Sequence, residues 1–223
     1  MKKITRKKHL EMMIQSIPNH PKPDVGLEQY STPSFIASDL LWNAFSLGDI
    51  ENKNILDLCC GTGIFTIAPV LLGANFAIGV DIDINSVRLA REVADKLNVD
   101  FVKFINKDIC DLDEMFDVDT IFQNPPFGSQ RKAKKGRDLK FVKKALGFSA
   151  NVLYSFHMAS TEEYLINYYQ NNDLKITHIF RYKFPIPNIY EFHTKEKKDI
   201  DVIVFRAIVH SSCCYKGSKC TRL

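Results

Sequence analysis

Four consecutive residues, Asn124, Pro125, Pro126 and Phe127, combine an amide, two prolines and an aromatic ring. They follow a short apolar run at 119–122 that is typical of the end of a buried strand. The prolines fix φ and prevent a helix, so the backbone carbonyls stay free to accept hydrogen bonds. The Asn124 side chain and the Pro125 carbonyl could therefore accept both hydrogens of a planar amine, while Phe127 could stack on the attached ring.

Methylation of such an amine suits these groups, and it needs no strong acid or base. The lone pair of an exocyclic amine is delocalised into its ring, and hydrogen bonds to both N–H groups favour the reactive geometry as charge develops. The methyl donor must then arrive already activated, as the sulfonium of S-adenosylmethionine is. The chain should therefore contain a second site, for that donor.

A glycine turn between a strand and a helix begins the predicted donor site. Residues 54–58 form an apolar run, residues 64–72 have helical spacing, and Gly61 and Gly63 lie in the turn between them. Such a turn lets backbone approach a ligand at the carboxyl end of a parallel strand. Alone, it could equally be an ordinary tight turn. No lysine follows the glycines, which disfavours a phosphate-loop nucleotide hydrolase. Thr66 stands where a dinucleotide-binding fingerprint needs its third glycine, which argues against a dinucleotide site.

Acidic residues stand at the ends of the first three predicted strands. Asp57 lies near the end of the first run, Asp81 follows the next run at about the 20-residue offset of a ribose-binding acid, and Asp108 follows the third. Asp108 is suited to accept from an adenine amino group. Any one of them could instead cap a helix or a turn. Together with the Pro-Pro loop, they predict a site for an S-adenosyl donor.

These motifs resemble the class I S-adenosylmethionine-dependent methyltransferases, and within them the amino-methylating group that carries an N-P-P-[FY] loop. Segments 27–33, 124–128 and 154–157 resemble more closely the methyltransferase-like-five family of small-subunit ribosomal RNA adenine-N6 methyltransferases and its archaeal relatives. The resemblance covers residues 1 to about 208. It implies a loop, with Gln29 and Thr32, that closes over the donor, and it implies a small zinc-binding activator protein as a possible partner.

The resemblance assigns the site residues by motif position. The implied donor-binding residues are Gln29, Thr32, Asp57, Cys59, Gly61, Thr62, Gly63, Asp81, Asp108 and Ile109, and the implied catalytic residues are Asn124, Pro125, Pro126 and Phe127.

Cys59 departs from the broader pattern, which usually has glycine at this position. A side chain here should weaken or adjust donor binding, because glycine is used where backbone must approach a ligand. The adjacent Cys59 and Cys60 lack the two-residue spacing of metal ligands, and we predict no metal site.

Composition favours one globular domain in a reducing compartment. The chain has 223 residues, of which 45% are hydrophobic and 25% charged, and it has six cysteines, which fit reduced thiols. We predict a cytoplasmic protein without a membrane segment, since no run of about 18 apolar residues and no signal-peptide core occurs.

A basic run follows the Pro-Pro loop, although the net charge is only +4. We predict that it contacts RNA phosphates, with a solvated loop as the alternative. The predicted nucleic-acid-binding residues are Arg131, Lys132, Lys134, Lys135 and Arg137.

The elements that must position these residues alternate between strands and helices. The pattern predicts an α/β fold with a doubly wound, mostly parallel seven-stranded Rossmann-like methyltransferase sheet and an antiparallel edge. The predicted strands lie near 54, 76, 101, 119, 151–154, 175–183 and 200–208, and the predicted helices near 5–17, 35–47, 64, 84, 138–148 and 161–171.

We predict one methyltransferase domain over residues 1–208. Its N-terminal helices and donor-covering loop occupy 1–48, its catalytic core occupies 49–208, and a disordered tail occupies 209–223. Tyr154, His157 and the segment 184–193 are candidates for the base pocket, with core packing as the alternative.

The sequence thus predicts methylation of adenine N6 in structured RNA, specifically small-subunit ribosomal RNA. Glutamine N5-methylation of a protein is an alternative, because that amide is also a planar amine; Phe127 and the basic run argue against it. DNA adenine methylation and a non-catalytic RNA-binding scaffold are further alternatives, and Cys59 supports the scaffold.

Overall fold

A computed structural model of the protein describes residues 3–24, 28–126, 137–186 and 198–209. Several predicted residues lie outside these ranges: Phe127, Arg131, Lys132, Lys134, Lys135 and the tail 210–223. Arg137 is described for its backbone alone.

The described residues form one seven-stranded sheet in the order β3-β2-β1-β4-β5-β7-β6. Its strands are β1 Asn54–Leu58, β2 Phe76–Asp81, β3 Val102–Asn106, β4 Thr120–Gln123, β5 Val152–Met158, β6 Leu174–Ile186 and β7 Lys198–Val209. The first five are parallel, while β7 runs antiparallel to both β5 and β6. The predicted sheet with an antiparallel edge is confirmed.

Helices cover both faces of the sheet. They are α1 Lys7–Ser16, α2 Ser34–Ser46, α3 Ile64–Leu71, α4 Ile84–Lys96, α5 Arg137–Ala145 and α6 Glu162–Asn171. One apolar cluster packs α1 to α4 against the first face, and a second packs α5 and α6 against the other. The central strands are buried on both sides, which explains their nearly continuous apolar runs. Within the described residues, no helix is long and apolar enough to cross a membrane.

Gly79 in β2 allows α3 and its preceding turn to approach the sheet closely. A Cβ atom at this position would lie 2.6 Å from Thr66 Oγ1 and 2.9 Å from Cys60 Sγ. Any larger residue would push the turn away from the strand ends, where the predicted donor site lies.

Candidate active site

A cavity of about 410 Å³ opens where β1, β2 and β4 end at their carboxyl termini. Most of the predicted donor-binding and catalytic residues line it: Gln29, Thr32, Cys59, Gly61, Thr62, Asp81, Asp108, Ile109, Asn124 and Pro126. Asp57, Gly63 and Pro125 do not line it. Parallel strands that end together thus bring residues distant in sequence to one site.

The glycine turn is held against the end of β2 by backbone hydrogen bonds. The N–H groups of Cys59 and Cys60 donate to the Val80 carbonyl at 2.9 and 3.0 Å. The Gly61 N–H donates to Asp81 Oδ2 at 2.8 Å. Cys59 itself has φ +66°, in the left-handed region that favours glycine. The glycine usual at this position therefore has a conformational reason, and Cys59 adopts the same turn under strain.

Asp81 is held by two backbone donors. Its second oxygen accepts from the Asp83 N–H at 2.9 Å. Burial raises the pKa of the Asp81 carboxyl, and the hydrogen bonds from Asp83 and Gly61 oppose that rise. A fixed acceptor at the rim of the cavity suits the hydroxyl groups of a ribose.

Asp57 lies behind the glycine turn. Its side chain is fully buried and accepts from Thr66 Oγ1 at 2.8 Å, while its Oδ1 has no partner in the described part of the chain. Burial raises the pKa of this carboxyl to about 8, with Thr66 opposing the rise and Asp81 adding to it. Its predicted role in donor binding stays a prediction.

A covering segment, residues 20–24 and 28–32, lies at one side of the cavity, which His20 and residues 28–32 line. Gln29 Nε2 donates to Asp83 Oδ2 at 2.8 Å, and Gln29 Oε1 accepts from the Asp24 N–H at 2.7 Å. His20 Nε2 lies 3.0 Å from the same Asp83 oxygen. Through these contacts with Gln29 and His20, Asp83 holds the covering segment next to Asp81. His20 lines the cavity but was not predicted, since a lone histidine in a Pro-rich segment carries no motif.

The Asn124 amide is oriented by the covering segment. Its Nδ2 donates to Thr32 Oγ1 at 2.9 Å, and its Oδ1 is buried with no hydrogen-bond partner among the described residues. Asn124 lines the cavity, and its unpartnered oxygen is the acceptor that remains on this side chain. Lys140 and Phe141 of α5 also line the cavity. Lys140 belongs to the basic run that the sequence analysis predicts to contact RNA phosphates. Phe141 was not predicted, because only the fold brings α5 to the cavity.

Tyr154 and His157 lie in the core, so the structure contradicts the expectation that they line the base pocket. Both are fully buried and outside the cavity wall. The Tyr154 ring stacks on Phe122 with centroids 4.9 Å apart, and its hydroxyl donates to Asp49 at 2.6 Å. Phe184 is also buried, at 1% exposure. Because β5 is covered on both faces, its side chains from Val152 to His157 are buried, and Met158 at its end is partly exposed. Residues 187–193 lie outside the described residues.

The residues of the cavity fit an S-adenosyl donor. Asp81 and Asp108 provide carboxylates at two strand ends, and Ile109 provides an apolar surface beside them. The volume lies within the range of small-molecule sites. Among the described residues, no group of His, Cys, Asp and Glu side chains could hold a metal ion.

Comparison with known proteins supports this interpretation of the site. The family described as Methyltransferase small domain matches residues 34–150. Protein MJ0284 of Methanocaldococcus jannaschii is 44% identical over 91% of this chain and 94% of its own. The rRNA N(6)-adenosine-methyltransferase Mettl5 of Drosophila melanogaster is 32% identical over 88% of this chain and 93% of its own.

A solved structure extends the likeness to the whole fold. The Pyrococcus horikoshii protein PH1948 is 34% identical, with a TM-score of 0.82 over 92% of this chain and 98% of its own. The family match at 34–150 includes the glycine turn and the Pro-Pro loop, and each of these relatives covers nearly nine-tenths of this chain or more. The chain therefore belongs to the methyltransferase-like-five (METTL5) family of methyltransferases, as the motifs predicted.

Proposed function

We propose that this protein transfers the methyl group of S-adenosylmethionine to N6 of an adenine in RNA, and specifically in small-subunit ribosomal RNA. The observation that carries the proposal is the Asn124 amide, whose nitrogen is bound to Thr32 while its buried oxygen has no partner in the described part of the chain.

The chemistry of the reaction explains why this oxygen matters. A buried acceptor without a partner costs free energy, and a substrate N–H group would satisfy it. By accepting from the amine, Asn124 would hold the nitrogen in position and stabilise the positive charge that develops on it. S-adenosylmethionine supplies a methyl group on a sulfonium. The amine proton is lost after transfer, and water can take it.

Two observations support an RNA adenine as the substrate. The Drosophila relative carries the name rRNA N(6)-adenosine-methyltransferase. The basic run after the catalytic loop gives charges suited to a phosphate backbone, and Lys140 of α5 lines the cavity itself. A cation is a poor neighbour for a donor with net positive charge, but it suits an anionic strand.

A small zinc-binding activator protein remains part of the proposal as a partner. Such a subunit would cover apolar surface, and Phe101, directly before the edge strand β3, is 64% exposed. An exposed edge strand with an apolar neighbour is suited to pair with another chain.

The first test is transfer of a tritiated methyl group from S-adenosylmethionine to three substrates in parallel: small-subunit ribosomal RNA, free protein and duplex DNA. Nucleoside analysis should find N6-methyladenosine in RNA alone. Label in protein would favour glutamine methylation. No label despite measurable donor binding would point to a missing activator or a binding-only role.

The variant Asn124→Ala tests whether the Asn124 amide oxygen takes part in the reaction. We expect kcat for RNA methylation to fall about 100-fold, because a preorganised acceptor at the developing charge is lost. Donor affinity, measured by calorimetry, should stay within about threefold. The control is Asn151→Ala, an exposed asparagine outside the cavity, which should behave as the wild type. Unchanged RNA methylation by Asn124→Ala would disprove the assigned role.

A further inference from the structure

One face of β5 carries polar side chains in the core. Ser155 and His157 are both 0% exposed, and because side chains alternate along a strand they share a face. Tyr154 and Phe156 lie on the opposite face, in the aromatic core. Buried polar groups need hydrogen-bond partners. The partners of Ser155 and His157 come from three different elements.

His157 joins α5 to α6. Its Nδ1 lies 2.7 Å from Asp138 Oδ2, and its Nε2 lies 2.9 Å from the Tyr169 hydroxyl. A carboxylate can only accept, so Nδ1 carries the proton and donates to Asp138. In the neutral tautomer that carries its proton on Nδ1, Nε2 accepts from the Tyr169 hydroxyl.

Ser155 extends the same series of contacts to β4. Gln123 Nε2 donates to Ser155 Oγ at 2.9 Å. The Ser155 hydroxyl in turn interacts with the Tyr169 hydroxyl and opposes the rise in the pKa of Tyr169 that burial causes. We call these five side chains the polar chain: Gln123, Ser155, Tyr169, His157 and Asp138.

The two ends of the polar chain flank the catalytic loop. Gln123 directly precedes Asn124, and Asp138 lies in the first turn of α5. The next turn of α5 brings Lys140 and Phe141 to the cavity wall. The other end of α5 is held as well, since the Lys144 ammonium donates to the Leu112 carbonyl.

We propose that the polar chain sets the position of α5 relative to Asn124, so that Tyr169, His157 and Asp138 are positioning residues for the target base. The inference rests on the function proposed above. Apolar packing alone would bury α5 equally well, whereas hydrogen bonds also fix distance and orientation. A displacement of about 1 Å between reacting groups can cost about 100-fold in rate. Phe141 would then pack against the base that Asn124 orients.

The variant Tyr169→Phe interrupts the polar chain in its middle without changing the volume of the core. We expect kcat for RNA methylation, expressed per donor-binding site, to fall about tenfold. Donor affinity should not change, because no residue of the polar chain lines the cavity. The matched control is Tyr164→Phe on the same helix, where the ring is 61% exposed, and its kcat should equal that of the wild type.

A second variant distinguishes positioning from loss of stability. Asp138 lies at the end of the polar chain, and Asp138→Ala removes the carboxylate that His157 Nδ1 contacts while Tyr169 stays in place. We expect a similar fall in kcat, and no further fall in the double variant with Tyr169→Phe, because residues that act as a unit are not additive. His157 lies between the Tyr169 hydroxyl and the Asp138 carboxylate, so non-additive effects of the two substitutions would show that these residues act through the polar chain.

The outcomes separate the two proposals. If the wild type methylates RNA and both single variants do so at its rate, the polar chain has no positioning role while the proposed function stands. The inference would also be overturned if the fall in kcat of the double variant equalled the product of the falls in the two single variants. If the wild type binds the donor but methylates no RNA, whether alone or with an activator protein, both proposals fail. If Tyr169→Phe does not fold, Asp138→Ala alone decides, with unchanged kcat counting against the inference.

Discussion

At the scale of single residues, the buried carboxyls at the glycine turn combine structural and functional demands. Asp57 and Asp81 lie at or next to the ends of neighbouring strands. Burial raises the pKa of both carboxyls, and Asp81 raises that of Asp57 further. Only Asp81 lines the cavity. The two acids, which look alike in the sequence, therefore have different surroundings: one accepts from backbone at the rim, and the other is enclosed with Thr66.

Asp57 should make stability depend on pH. Its pKa is raised from 3.8 to about 8 in the folded state, so between these values the folded chain binds a proton that the unfolded chain has lost. The free energy of unfolding therefore falls as pH rises through this window. Asp57→Asn mimics the protonated form, so its stability relative to the wild type should increase from about pH 5 to about pH 8. Urea unfolding at the two pH values measures this difference.

A control for this prediction is Asp95→Asn, an exposed residue of α4, whose difference from the wild type should be the same at both pH values. A constant difference for Asp57→Asn as well would show that this carboxyl does not remain protonated in the fold.

Residue roles were predictable where a motif fixes them. The glycine turn, Asp81, Asp108 and Asn124 all reach the cavity as their positions at strand ends predicted. Asp57 also ends a strand, but its side chain points behind the turn, and nothing in the spacing distinguishes the two directions. His20 and Phe141 reach the cavity through tertiary packing, which a single sequence does not encode locally.

At the scale of elements, Asp83 has two separable tasks. It caps α4, with its side chain accepting from the Asn85 and Ser86 N–H groups, and it accepts from Gln29 of the covering segment. Serine can cap a helix but is too short to reach Gln29 as well. Substitution by serine or alanine therefore tests the cap and the covering segment independently.

We expect Asp83→Ala to lose about 1 kcal/mol of stability and Asp83→Ser to lose much less. Both should bind the donor about fivefold more weakly, because the covering segment loses its attachment at the cavity. Thermal unfolding and calorimetry measure the two effects separately. Donor binding by Asp83→Ser at wild-type affinity would mean that the attachment does not support the donor site.

The elements themselves were largely predictable from the sequence. The strand β1 has the predicted residues, and β2 to β4 differ by a residue or so at their ends, because buried parallel strands give short apolar runs between polar turns. The antiparallel pair is longer than predicted: β6 extends to Ile186 and β7 starts at Lys198. Polar and charged side chains at the added ends of these two strands hide the alternation of apolar and polar residues that predicts a strand. The misplacement of Tyr154 and His157 has the same origin, since a strand covered on both faces does not reveal which residues face a ligand.

At the scale of the whole molecule, a buried ion pair connects the beginning of the core to its last strand. Arg206 of β7 donates from Nε and Nη2 to the two oxygens of Asp49, at 2.7 and 2.9 Å. Its Nη1 donates to Thr177 Oγ1 at 2.7 Å, and the Tyr154 hydroxyl also donates to Asp49. The carboxylate of Asp49, which lies between α2 and β1, therefore depends on partners from two strands, β5 and β7.

Arg206→Met should destabilise the fold by about 3 kcal/mol or more, because it leaves the Asp49 charge buried without its partner. The double variant with Asp49→Asn should regain part of that loss, since the unpaired charge is removed. Urea unfolding of the wild type, the single variant and the double variant measures both. A double variant less stable than Arg206→Met would indicate that the hydrogen bonds of Asp49, and not its charge, dominate.

The strand order has a consequence for how the molecule is made. The ribosome finishes β7 after β6, yet β7 lies between β5 and β6 in the sheet. Until β7 emerges, β5 has an open edge and Asp49 lacks an arginine 157 positions further along the chain. Contacts between such distant residues form slowly. While β7 is missing, the sheet of the nascent chain stays unfinished, and its open strand edge is the kind of surface that exposes a chain to aggregation and makes it depend on chaperones.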